Sequence, residues 1–192
     1  MDPLRILIAD DESIRLLSLR VQLNALGHHV VAEASTGADA VTLAAATEPD
    51  LAIMDIKMPV MDGIEAAERI TRARPIPIIL LTAYNETQLV ERAAQANISA
   101  YLMKPVAEED LLPAIALALA RFREFKALHQ EVADLREALE ARKLIERAKG
   151  ILMRRLDLTE EEAFRRLQKQ SQDTNRKLSE VAQALVTADQ LL

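Results

Sequence analysis

The chain alternates short runs of apolar residues with longer stretches in which apolar positions recur every three or four residues. These two periods separate buried strands from amphipathic helices. Leu4–Ala9 is the first apolar run and ends on Asp10-Asp11. Ser13 then reads as the N-cap of a helix carrying Ile14, Leu17, Val21 and the Leu23–Leu26 stretch, closed by Gly27. Val30–Ala34 is a second strand, and Gly37 punctuates before a short Ala-rich helix. Leu51–Met54 is the third strand, ending on Asp55, with a helix over Ile64–Ala73. Ile76–Leu81 is the fourth, ending on Thr82 ahead of a helix near Glu86–Ala96. Ala100–Met103 is the fifth, ending on Lys104-Pro105, and another helix follows from about Glu108. Strands alternating with helices in this way predict an α/β fold with a doubly wound parallel sheet.

In a parallel sheet the C-terminal strand ends share one edge, where open α/β folds bind ligands. Asp10, Asp11, Asp55, Thr82 and Lys104 therefore converge there. Three carboxylates held together repel unless a cation joins them. Oxygen ligands, few in number, suit Mg²⁺. A lysine and a hydroxyl beside such an ion are what a phosphoryl group requires, and an Asp carboxylate can itself be the nucleophile. Asp55 is the candidate acceptor, with Asp10 and Asp11 holding the metal. A small-molecule hydrolase could use the same parts, but the loops after these strands are short and enclose little.

Composition narrows the chemistry further. There is no Cys, which excludes disulfides, thiolate catalysis and zinc–thiolate sites. His28, His29 and His129 fall into no ligand spacing. No signal pattern appears, and no apolar run approaches the roughly 20 residues of a membrane span, so a cytoplasmic protein with no membrane partner is expected. Charge is uneven: residues 1–141 hold 13 Lys+Arg and 22 Asp+Glu, a balance of −9, whereas residues 142–192 hold 11 and 8, a balance of +3. An acidic front and a basic tail imply two functions in one chain.

Asp10-Asp11, Asp55 within DIKMPVMDG, Thr82-Ala83, and Tyr101 three residues before Lys104-Pro105 together resemble the receiver domain of two-component response regulators. The resemblance covers about residues 3–122. It implies a flavodoxin-like five-stranded sheet whose Asp55 accepts a phosphoryl group from a sensor histidine kinase. Asp11, Asp55 and the backbone carbonyl of Lys57 would bind Mg²⁺, with Asp10 acting through water. Lys104 would contact the phosphoryl oxygens, and its bond to Pro105 would be cis. Thr82 and Tyr101 would form the switch pair, and Lys57 and Tyr84 would tune phosphoryl lifetime. Val106 stands where the family often has Phe. Such a protein is no enzyme beyond its own aspartyl phosphorylation and dephosphorylation.

Beyond Glu108 only Pro113, read as lying in a first turn, and Gly150 interrupt a helical pattern that reaches about Arg155. Phe125, Leu128, Val132, Leu135 and Leu139 step by 3, 4, 3 and 4, a coiled-coil seam of about two heptads. The seam either pairs two chains into a homodimer or docks on the output domain of its own chain. Thr159 and Glu162 form a capping box opening a helix with Ala163, Phe164 and Leu167 on one face. A last helix turns Leu178, Val181, Leu185 and Val186 inward. This predicts a small three-helix bundle at the end of a long connecting helix. Gly150 in mid-helix costs about 1 kcal/mol against Ala, so close packing against Phe164 or a neighbouring backbone is expected there.

ARKLIERAKGILM, the following TEEEAF and the spaced S…NRKLSEVA resemble the ANTAR domain of transcription antitermination regulators, over about Ala141–Val186. The resemblance divides the chain into a receiver (1–122), a helical linker (123–140) and an ANTAR domain (141–192). It implies binding to RNA hairpin loops in nascent leader transcripts, because unpaired loop bases can be read where A-form grooves cannot. Arg142, Lys143, Arg147 and Lys149 are the expected phosphate contacts, followed by Arg165, Arg166, Arg176 and Lys177. Ala148 and Gly150 would shape the surface. A protein-interaction module and a DNA-binding regulator are the competing readings of the tail, although the acidic, capped turn after Leu156 is unlike a helix-turn-helix.

Overall fold

The structure is a computed structural model that describes residues 2–83 and 98–189. Its strands are β1 (Arg5–Ala9), β2 (His29–Ala34), β3 (Leu51–Asp55), β4 (Ile78–Thr82) and β5 (Ala100–Met103), paired in parallel in the order β2-β1-β3-β4-β5. The helices are α1 (Ser13–Ala25), α2 (Gly37–Thr47), α3 (Gly63–Ala73), α4 (Glu108–Leu156), α5 (Glu160–Thr174) and α6 (Leu178–Asp189). The helix expected near Glu86–Ala96, and Tyr84, lie outside the described residues. Two compact units, Met1–Lys126 and Ala127–Leu192, divide the chain, and α4 is continuous through the boundary.

The period-2 alternation of the strands sorts the first unit into two cores. Leu7, Ala52, Met54, Ile78 and Leu80 pack with Ala40 and Ala44 of α2 and Ile64, Ala67 and Ile70 of α3. Ile6, Ile8, Leu51, Ile53, Ile79 and Leu81 pack on the other face with Leu16, Leu19 and Leu23 of α1 and Leu111 and Ile115 of α4. Because β1, β3 and β4 are buried on both faces, they read as unbroken apolar runs. The register then sets the edge: Ala9 pairs with Met54, Asp55 with Leu81, and Thr82 with Met103. The residues that end these strands thus emerge side by side.

The local details correct four expectations. Glu12, not Ser13, is the N-cap of α1, and it makes no side-chain cap; its backbone N–H donates instead to Asp10 Oδ1 at 2.9 Å. Pro113 is the sixth residue of α4, past the first turn. It leaves the carbonyl of Glu109, an exposed residue, for solvent. In the second unit the capping box of Thr159 and Glu162 closes in both directions. The core there comprises Ala148, Ile151, Leu152, Ala163, Leu167, Val181, Ala182 and Val186, with Leu178 and Leu185 against its rim. Phe164 is only half-buried and outside that cluster. Gly150 has no tight neighbour: a Cβ there would meet nothing closer than the Arg154 Nη1 at 3.7 Å. The close packing expected of this glycine is absent.

His28 is buried, its Nδ1 accepting from the Leu4 N–H at 3.3 Å while Nε2 has no partner. Burial disfavours the imidazolium and lowers its pKa below the ordinary imidazole value of about 6.5. The unfolded chain then takes up a proton near pH 6.5 that the folded chain resists. The stability owed to neutral His28 is complete above that pH and is lost as the pH falls through it. In His28→Asn, which keeps an acceptor but does not titrate, urea melts between pH 7.5 and 5 should show a smaller loss of stability than in the wild type. Equal slopes in the two proteins would remove His28 as the cause.

Candidate functional site

Asp10 follows β1, Asp55 ends β3, Thr82 ends β4 and Lys104 follows β5, so parallel pairing alone brings them to one rim. One carboxylate oxygen from each of Asp10, Asp11 and Asp55 lies within 4.8 Å of the others. Asp10 and Asp55 are buried and Asp11 is exposed. Lys104 reaches in with Nζ 2.6 Å from Asp55 Oδ2 and 3.3 Å from Asp10 Oδ2. Its peptide bond to Pro105 is cis, and its N–H donates to the Thr82 carbonyl at 2.8 Å. Burial pushes the Asp55 carboxyl up from its ordinary value, while Lys104 and the Lys57 N–H pull it down. The result is a desolvated acid with a cation on one side, poised to react or to gain a second cation.

The loop after Asp55 is held by two glycines. Gly63 N–H donates to the Ile56 carbonyl at 2.8 Å, and Gly37 N–H donates to the Met61 carbonyl at 3.2 Å. A Cβ on Gly63 would be driven into the Asp55 carbonyl, 2.9 Å from its carbon, and a Cβ on Gly37 would strike the Met61 carbonyl. Asp62 caps α3 by accepting from the Glu65 N–H at 2.7 Å. The DG of DIKMPVMDG is therefore a backbone requirement of the segment that carries Asp55.

Thr82 is buried, its hydroxyl 3.2 Å from the Ala83 carbonyl. Tyr101 stands opposite Leu80 in the register, on the same sheet face as Thr82, half-buried against the α2–α3 core. Burial raises its phenol pKa. Sequence reasoning missed Arg15, whose guanidinium touches the acidic cluster; its i,i+4 spacing from Asp11 was the available signal.

The sequence over residues 6–116 matches the response regulator receiver domain, and residues 133–186 match the ANTAR domain. The transcriptional regulatory protein PdtaR of Mycobacterium tuberculosis is 47% identical over 184 residues, covering 96% of this chain and 90% of PdtaR. This chain belongs to the response regulators that join a receiver to an ANTAR domain. YdfI of Bacillus subtilis is 34% identical over only 116 residues, 60% of this chain and 54% of that protein. The receiver domain of a modulated diguanylate cyclase from Desulfovibrio desulfuricans G20 superposes with a TM-score of 0.60 at 33% identity, covering 64% of this chain and 98% of its own. A CheX–CheY complex of Borrelia burgdorferi holding BeF₃ and Mg²⁺ gives 0.56 at 25% identity, with coverage of 59% and 87%.

Within the ANTAR region of this regulator the basic residues divide by their partners. Lys149 is buried, with Nζ 3.0 Å from both Glu146 oxygens and 2.6 Å from Glu160 Oε1. These pairs raise its pKa and tie α4 to the start of α5. Lys143 pairs with Glu140 at 2.7 Å, Arg165 with Glu161, Arg176 with Glu180 at 3.3 Å and Lys177 with Glu137 at 3.9 Å. Arg142, Arg147, Arg154 and Arg166 are exposed and carry no such pair among the described residues. Lys143, Arg147, Gly150 and Arg154, at i, i+4, i+7 and i+11, share one face of α4. No helix among the described residues is long and apolar enough to cross a membrane.

Proposed function

We propose that this response regulator is switched by phosphorylation of Asp55 and that its ANTAR domain binds hairpin loops of nascent leader RNA to promote antitermination. The observation that carries the first half is the meeting of Asp10, Asp11, Asp55 and Lys104 at one sheet edge. A carboxylate oxygen of Asp55 attacks the phosphorus of a phosphohistidine on a sensor kinase. The P–N bond breaks, its electron pair stays on the imidazole nitrogen, which takes up a proton, and an acyl phosphate remains on Asp55.

Asp10, Asp11 and Asp55, with the Lys57 carbonyl, fit a hard divalent cation such as Mg²⁺, being oxygen donors with excess negative charge. When bound, Mg²⁺ offsets the charge that builds on the phosphoryl oxygens. Lys104 supplies the second cation and moves from Asp55 to the new phosphoryl group. The Thr82 hydroxyl follows it, and Tyr101 fills the space behind, which alters the face that leads into α4.

For the tail, exposed unpaired guanidinium groups favour RNA phosphates over an ordinary solvated surface, because a salt-bridged cation has already lost much of its attraction. Arg142, Arg147 and Arg166 are the leading contacts. Arg154 joins them, while Lys149 holds the helices in place. Lys143, Arg165, Arg176 and Lys177 contact RNA only by exchanging their surface pairs, a small cost. The boundaries 1–122, 123–140 and 141–192 describe this division of labour. Leu128, Val132, Leu135 and Leu139 are 40–63% exposed at coiled-coil spacing, which favours pairing with the seam of a second copy.

A gel-shift titration at fixed salt, comparing a tandem-hairpin leader RNA with duplex DNA, tests the reading. The full chain treated with beryllofluoride and Mg²⁺ should bind the RNA more tightly than untreated protein and should prefer it to DNA. Arg142→Glu with Arg147→Glu should weaken RNA binding roughly tenfold or more and flatten its salt dependence, with an unchanged melting curve. Preference for duplex DNA, or RNA binding indifferent to both the treatment and the charge reversal, would end it.

A further inference from the structure

One cation at the acidic cluster has no part in the reading above. Arg15, in the first turn of α1, places Nε 2.8 and 2.9 Å from the two oxygens of Asp10. Its Nη2 is 3.3 Å from Asp11 Oδ1, 3.9 Å from Asp55 Oδ2 and 2.8 Å from Glu12 Oε1. A single guanidinium thus contacts all three carboxylates of the candidate cation cluster, and it shares Asp10 Oδ2 and Asp55 Oδ2 with Lys104. Four carboxylates face two cationic side chains, so the cluster is still short of positive charge.

A divalent ion takes carboxylate oxygens at about 2.0–2.5 Å, among them the Asp10 and Asp11 oxygens to which the Arg15 N–H groups now donate. Each carboxylate oxygen keeps a second lone pair, so the conflict is chiefly one of charge: a guanidinium 2.8–3.9 Å from all three carboxylates would lie close to the ion, and two cations at that distance repel. Arg15 can leave without disturbing a core: its side chain is 35% exposed, against 0% for Asp10 and 7% for Asp55. Its neighbours on α1 that do pack inward are Leu16 and Leu19.

We infer that Arg15 is a tethered counter-cation that holds the divalent-ion site and must be displaced by the ion. Ion occupancy of the resting receiver is then an exchange, and its midpoint lies at a higher ion concentration than the carboxylates alone would set. The acidic cluster keeps its shape without an ion, which avoids the repulsion of three bare carboxylates. The receiver becomes competent for phosphoryl transfer only where divalent cation is plentiful enough to expel the guanidinium. Glu12 gives the departing guanidinium a partner outside the cluster.

This inference rests on the divalent-cation reading of the site, and the experiment separates the two. Mg²⁺ binding to the unphosphorylated full chain is measured by calorimetry, and Mn²⁺ binding by loss of the free-ion electron paramagnetic signal, in wild type, Arg15→Gln and Arg15→Met. Both variants should bind each ion more tightly than the wild type, on the order of tenfold, since a charge-assisted contact no longer competes. Arg15→Lys, which keeps the charge but loses the fork, should fall between them. Unchanged circular dichroism melts would show that the cluster still stands. Equal or weaker ion binding in Gln and Met variants overturns the role of Arg15 while leaving the site intact. Absence of binding in every protein overturns the divalent-cation reading as well.

Discussion

Gly63→Ala should lower the melting temperature of the receiver unit by roughly 10 °C, the largest loss expected of any single methyl in this chain. The added Cβ collides with the Asp55 carbonyl and lies 3.2 Å from Ile56 Cα, so backbone must move. Overpacking of this kind costs about 3 kcal/mol or more when no flexible side chain can give way, and about 1 kcal/mol shifts a domain of this size by a few degrees. The movement falls on the acceptor strand itself, so phosphorylation by acetyl phosphate should slow as well. Differential scanning calorimetry, with Gly150→Ala as the comparison, checks this. The second variant adds a methyl with no contact closer than the Arg154 side chain at 3.7 Å and gains about 1 kcal/mol from the helix preference of alanine. A melting point for Gly63→Ala within 2 °C of wild type would mean that the close approach is not real.

Asp55→Asn should abolish covalent phosphoryl incorporation altogether. The amide is not a nucleophile toward phosphorus, and the other two carboxylates at the rim are placed differently: Asp10 is buried with both oxygens on the Arg15 Nε and lies farther from Lys104 Nζ, at 3.3 Å against 2.6 Å for Asp55, and Asp11 is exposed. Phosphate-affinity electrophoresis after acetyl phosphate and Mg²⁺ treatment reads the outcome directly. The variant should also bind leader RNA like untreated wild type, with no gain after treatment. Hydroxylamine-labile label persisting in the variant would move the acceptor elsewhere. Retained label together with a full RNA response would place the switch on another residue.

The two substitutions act on one short piece of chain from different directions. Asp55 is the proposed acceptor, and Gly63 supplies the room for the backbone that presents it. Both are visible in DIKMPVMDG, but for unlike reasons. The acid stands at the end of an apolar run, which local pattern alone reveals. The reason for the glycine, contact with a carbonyl eight residues earlier, becomes evident only when the loop is closed.

What the linear pattern settled by itself is the alternation of buried strands and helices, the strand ends that carry Asp10, Asp55, Thr82 and Lys104, and the capping box at Thr159. These depend on residues near one another in the chain, where periodicity and local hydrogen bonding act. The tertiary structure decided the partners. Arg15 lies over three carboxylates, Lys149 is held between Glu146 and Glu160, Gly150 has no tight neighbour, and Phe164 stands outside the bundle core. A charged side chain has several candidate partners of opposite sign along any sequence. Which of them it meets depends on distances between elements, and those are set by packing across the whole fold.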